Sequence, residues 1–140
     1  MARAPVKVVL DTNVLVSSLI FGGKPQQIEN LILEQKVIGI TSLMLLAELL
    51  DVLTKRFHFS EFRLRQTEKK IKKNFTIVLP TSTIKILKDD SDNRVLEATV
   101  EGNCHYIVTG DKELLELGQF KKIKIVAPAE FLKLFHIRLS

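Results

Sequence analysis

The sequence has a single cysteine, Cys104, in 140 residues. One thiol cannot close an internal disulfide and offers no zinc-type cluster, which fits a reducing, cytoplasmic setting. Beside the run "YIVT" it reads most simply as a small apolar side chain. The three histidines, His58, His105 and His136, are scattered and show no ligand spacing. No stretch reaches the ~18 uncharged apolar residues that mark a membrane span. The nearest, Ile38 to Leu53, is interrupted by Glu48 and Asp51. The opening "MARAPVKVVL" has too short an apolar run for a secretory leader and passes at once into polar "DTN". Internal repeats, low-complexity tracts and linkers are missing too. One domain spanning residues 1–140 is therefore expected, long enough to bury roughly 68–70% of its unfolded surface.

What is present is ordinary in amount: 46% hydrophobic and 26% charged residues, as in a compact soluble protein. The net charge of +5 is compatible with a polyanionic partner without requiring one. Its distribution says more. Between Lys55 and Lys73 there are eight Lys or Arg residues against Glu61 and Glu68. On a helix, Arg65, Lys69, Lys72 and Lys73 share one face, and Leu64, Ile71 and Phe75 the other. That basic face is either a solvated exterior or a rim that tracks phosphates. It has no interleaved aromatics, so base stacking is not indicated.

Short β-branched runs alternate with longer amphipathic ones. "VKVVL" (6–10), "VIGIT" (37–41), "FTIVL" (75–79), "HYIVT" (105–109) and "KIKIV" (122–126) read as strands. Between them lie helical stretches: "NVLVSSLI", a segment opened by Pro25, "LMLLAELLDVLTKR" behind Ser42 as N-cap, and the basic segment from Ser60 to Asn74. "DNRVLEATVEG" follows, with Gly102 as its stop, then "KELLELG" and a last helix from Pro128. "TIKIL" (83–87) is open between a strand and an irregular approach to a helix starting near Asp92. Strand–helix alternation of this kind indicates an α/β fold, a parallel sheet with helices on both faces.

In such a sheet ligands bind outside the carboxyl ends of the strands, where strand order reverses. Asp11 directly follows the first strand, Asp111 comes two residues after "YIVT", and Asp92 starts a helix that returns to the sheet. Each could simply be an N-cap, since Asp suits the positive end of a helix. Glu48 is harder to explain that way. Its helical neighbours Met44, Leu45 and Val52 are apolar, Asp51 is the fourth, and no Lys or Arg precedes Lys55 in that helix to pair with it. A carboxylate so placed is costly unless it is paired or binds a cation. Two unit charges 5 Å apart repel by about 3 kcal/mol at an effective dielectric of ~20. Four convergent carboxylates make six such pairs, a sum comparable to the stability of a small domain. They must hold protons or cations, and an all-oxygen donor set indicates hard Mg²⁺ or Mn²⁺. Ions of this kind are the usual equipment for phosphodiester hydrolysis.

The motifs "VVLDTNVLVSSL", "TSLMLLAELLDVL", "DDSDNRVLEAT" and "YIVTGDKELLEL", closed by "IKIVAPAEFL", resemble those of PIN-domain proteins, most closely the small prokaryotic toxin components of toxin–antitoxin pairs. The resemblance spans essentially the whole chain. It implies a Rossmann-like five-stranded parallel sheet of order 3-2-1-4-5. It also implies a ribonuclease in which Asp11, Glu48, Asp92 and Asp111 hold one or two Mg²⁺ or Mn²⁺ ions, leaving a 3′-hydroxyl and a 5′-phosphate. Asn13 and Thr109 match the family's supporting polar positions, with Asp89 and Asp90 as extra acids upstream. Expected partners are RNA, a cognate antitoxin and a second copy of the chain; Phe57, Phe59 and Phe62 are either contacts for that copy or core residues. Two rivals remain. "VVLDTNV" is similar to the start of haloacid-dehalogenase phosphatases, but those carry a second Asp where Asn13 stands. The other is a degenerate domain that binds RNA without cutting it.

Overall fold

A computed structural model describes residues 4–139; Met1 to Arg3 of the stretch tested for a leader lie outside it. The first strand, β1 (Lys7–Leu10), is buried along Val8, Val9 and Leu10, as a central parallel strand must be. It pairs in parallel with β2 (Ile38–Ser42) on one side and β4 (Tyr106–Val108) on the other. β3 (Thr76–Val78) extends the β2 side, and β6 (Ile123–Val126) the β4 side, both in parallel. Five parallel strands thus follow the expected 3-2-1-4-5 order. A sixth, the two-residue β5 (Gln119–Phe120), pairs antiparallel with β6 at the edge. So short a strand leaves no periodicity to read.

Alternation along β1 divides the interior in two. Val8 and Leu10 join the core made with α1 (Thr12–Ile20), α2 (Gly23–Leu33), α3 (Leu43–Phe57), α4 (Glu61–Asn74) and α7 (Pro128–Leu139). Val9 joins Ile40, Ile107 and Ile125 against α5 (Asp90–Glu101) and α6 (Lys112–Leu117). Cys104 is buried in that second core, where desolvation pushes its thiol up to about 12. It is an inert apolar side chain, as its sequence context indicated.

Strand order reverses at β1: the chain winds outward through β2 and β3, then crosses back to β4. The carboxyl ends of β1 and β4 therefore open a crevice between the loops that follow them. "TIKIL" forms no strand. Residues 79–89 run as an irregular segment strapped to one face of α5 by side-chain hydrogen bonds. Glu101 accepts from Thr81 (2.9 Å), Glu97 from the Ile84 N–H (2.9 Å), and Asn93 both accepts from the Leu87 N–H and donates to its carbonyl (3.0 and 2.9 Å). On α6, Glu113 accepts from the Lys88 N–H at 2.8 Å. These side chains supply the partners that a sheet ladder would otherwise give.

Candidate active site

The crevice is a cleft of about 180 Å³ lined by Asp11, Thr12, Asn13, Glu48, Val52, Arg56, Asp89, Ser91, Asp92, Val95 and Asp111. All four acids singled out from the sequence meet there. Asp11 is both cap and wall. Its Oδ1 accepts from the Val14 N–H at 2.9 Å as N-cap of α1, while Oδ2 accepts the Thr109 hydroxyl proton. Thr109, fully buried, in turn accepts from the Asp111 N–H at 2.9 Å. One hydroxyl thus ties the end of β1 to the loop after β4 and fixes the Asp11 carboxyl. Asp111 caps α6 in the same manner, its Oδ1 accepting from the Leu114 N–H at 3.0 Å.

Asp92 differs from the position expected for it. The N-cap of α5 is Asp89, whose Oδ1 accepts from the Ser91 N–H at 2.8 Å. Asp92 lies inside the first turn, 6% exposed, and its Oδ2 is buried without a hydrogen-bond partner among the described residues. Capping therefore does not explain it. Glu48 is half-buried on the cleft face of α3 and forms no ion pair among the described residues.

The electrostatics are those of crowded acids. Burial pushes the Asp11 carboxyl from 3.8 up to about 6; hydrogen bonds from Thr109 and Val14 oppose this, and the charges of Asp111 and Glu48 add to it. Asp92 rises to about 7, first by burial, then through the closeness of the Asp111 carboxyl, then through the charges of Asp89 and Asp11. Five carboxylates and one cation, Arg56, face this small volume.

A hard divalent cation suits these residues. The donors are all oxygens, one buried carboxylate oxygen lacks a partner, and Asp11 and Asp92 are raised first by burial and further by neighbouring carboxylates, both of which a bound cation would offset. Among the described residues no three His, Cys, Asp or Glu side chains stand together as a ready-made cage. Mg²⁺ sites need none, because that ion keeps several waters and takes one or two protein carboxylates.

The other sequence candidates divide. Asn13 lines the cleft and Thr109 supports it, but of the two upstream acids it is Asp89, not Asp90, that faces in. Arg65, Lys69, Lys72 and Lys73 sit on the exposed face of α4 and do not line the cleft. Two are tied within their own helix, Arg65 to Glu61 at 2.9 Å and Lys72 to Glu68 at 3.5 Å. Arg56 and Ser91 were missed. Spacing puts Arg56 on the helix face of Glu48, two turns on, but does not say that this face lines a cleft. Of the three phenylalanines considered for an interface, Phe59 is buried, Phe57 half-buried and Phe62 exposed.

A parallel sheet of this order, with an acid-lined crevice at the carboxyl ends of β1 and β4, defines an α/β protein of the PIN-like class. A family model described as PIN domain matches residues 7–113, and the chain belongs to that family, whose members are typically nucleases. It is 30% identical over 153 residues to an uncharacterized protein of Methanocaldococcus jannaschii, covering 100% of this chain and 98% of that one. Its fold is similar to that of VapBC2 from Rickettsia felis, solved bound to a DNA fragment from its promoter (TM-score 0.60, 13% identity, 86% of this chain and 97% of that one). It is also similar to the PIN domain endonuclease Utp24 (TM-score 0.54, 24% identity, 86% and 84% covered).

Proposed function

We propose that the chain acts as a single-domain, metal-dependent endoribonuclease of the cytoplasm and serves as the toxin of a toxin–antitoxin pair. The observation that carries the nuclease assignment is the meeting of Asp11, Glu48, Asp92 and Asp111 in one cleft, with the buried Asp92 Oδ2 left without a partner. These four side chains would hold one or two Mg²⁺ or Mn²⁺ ions; PIN nucleases generally use divalent metals. Such an ion supplies a nucleophile at neutral pH and neutralises charge on the scissile phosphate.

The chain's own contribution is placement. Capping fixes one oxygen of Asp11 and one of Asp111, so neither carboxyl can swing away when a polyanion approaches. Thr109 holds the other oxygen of Asp11, and Asn13, exposed on the cleft wall, would orient Asp11 or a metal-bound water. The cations of α4 would meet substrate only outside the cleft. The toxin role draws on the sequence motifs and on the fold shared with VapBC2, and its partner would be a cognate antitoxin.

Cleavage of end-labelled RNA in Mg²⁺ or Mn²⁺, abolished by EDTA and by Asp92→Asn in a folded protein, is the expected result. RNA that is bound but never cut would instead establish the binding-module alternative. Hydrolysis of an aryl phosphate would support the phosphatase alternative. Growth arrest on expression, relieved by Asp92→Asn, tests the toxin role separately.

A further inference from the structure

The cleft presents a difficulty for any nucleic acid: five carboxylates line it, and the cations expected to attract phosphates lie elsewhere. Arg56 is the exception. Glu48, Val52 and Arg56 stand four residues apart along α3, share one face of the helix and all line the cleft. At about 1.5 Å per residue, Arg56 lies ~12 Å along that wall from Glu48. The nearby cations are otherwise engaged. Lys55 pairs with Asp51 at 3.1 Å, Arg63 stacks 3.8 Å from the centre of the Phe59 ring, and Lys70 reaches buried Glu29 at 3.4 Å. Arg56 has no ion pair among the described residues, although acids line the same cleft.

We propose that Arg56 is a substrate-binding residue that holds a phosphate flanking the scissile bond, on the α3 wall of the cleft about two helical turns from Glu48. The assignment rests on the nuclease function above and adds to it the contact that brings a polyanion to an acidic site. A guanidinium suits the task because its planar fork matches two phosphate oxygens and it is weakly hydrated. The competing explanation is that Arg56 only complements the carboxyl end of the α3 dipole, where Lys55 also lies.

Binding separates the two. Affinity for a short fluorescein-labelled single-stranded RNA is measured in Mg²⁺ across a salt series, using full-length protein in an Asp92→Asn background that prevents cleavage. Arg56→Ala should weaken binding roughly tenfold or more and flatten the log–log salt slope by about 0.7, the value for one phosphate contact on a single strand. Arg56→Lys should keep the slope and lose part of the affinity. Lys55→Ala removes one charge from the same helical turn and should change neither. With Asp92 restored, Arg56→Ala should raise KM far more than it lowers kcat. If Arg56→Ala and Lys55→Ala have equal effects on affinity and slope, the phosphate role is overturned while the nuclease assignment stands. If the parent protein itself neither binds nor cuts RNA, both are overturned. Matching far-UV spectra and unfolding midpoints exclude misfolding as the cause of lost binding.

Discussion

The most demanding test of the acid cluster is thermodynamic and needs no substrate. Asp11 titrates near 6 in the folded protein against 3.8 ordinarily, chiefly because it is buried. The folded chain therefore binds more protons than the unfolded one across this window. The associated stability is fully present below about pH 3.8 and is lost as pH rises through about 6. At about 1.4 kcal/mol per pH unit, the whole rise corresponds to ~3 kcal/mol, of which roughly 1.5 kcal/mol falls between pH 5 and pH 8. Asp92, raised to about 7, acts in the same direction. Asp11→Asn keeps the cap, because Asn is an equally good N-cap, but weakens the Thr109 contact by about 1 kcal/mol at every pH. Relative to wild type, the variant should therefore gain roughly 1.5 kcal/mol on going from pH 5 to pH 8. Loss of the Asp11 charge also eases Asp92 and adds to that gain. Urea unfolding in EDTA at both pH values, with slopes compared, measures it. Mg²⁺ at pH 8 should raise the wild-type midpoint and leave the variant's nearly unchanged. A variant whose stability offset does not depend on pH, or grows more unfavourable at pH 8, would refute the account of Asp11 as a buried, charge-crowded carboxyl.

Thr109→Val removes a donor to Asp11 and the acceptor of the Asp111 N–H, and should cost about 1–3 kcal/mol. With that hydrogen bond gone, the Asp11 pKa rises further, so the acid limb of the pH–rate profile should move to higher pH. Asn93→Ala cuts both bonds to Leu87 and should destabilise by about 2 kcal/mol. Faster amide exchange confined to residues 84–88, with reduced cleavage, would show that the strap places Asp89 and Asp92. Gly39→Ala puts a methyl group 2.7 Å from two Phe75 ring carbons and 3.0 Å from Ile32, and should cost about 1–3 kcal/mol in thermal unfolding with the active-site pH profile unchanged.

The alternation of buried β-branched runs with amphipathic segments was enough to set the α/β class, and five of the six strands lie where those runs do. Ser42 caps the start of α3 and Gly102 the end of α5, as expected. The acids were legible because three stood at strand ends or helix starts on one rim, and because Glu48 stood where an unpaired carboxylate is expensive, its own helix offering no cation before Lys55. Local signals left the choice open where side chains from other segments decide the backbone. Residues 79–89 look strand-like in "TIKIL", yet Asn93, Glu97 and Glu101 satisfy their amides and leave no ladder to join. Where that segment enters α5 the cap is Asp89 rather than Asp92, and the Asp92 Oδ2 is not used in capping.

The sequence by itself determined the fold class and the family and singled out four acids, because hydrophobic period, helix-start chemistry and motifs are written in neighbouring residues. Only the tertiary structure decided which oxygens of those acids are already committed, which one is left buried without a partner, and which cation joins them. Arg56 shows why. A count of positive charge points to α4, whose cations are exposed and partly engaged with their own helix. Charge acts through distance and burial, and α3 puts a single arginine, two turns beyond Glu48, on the wall of the cleft.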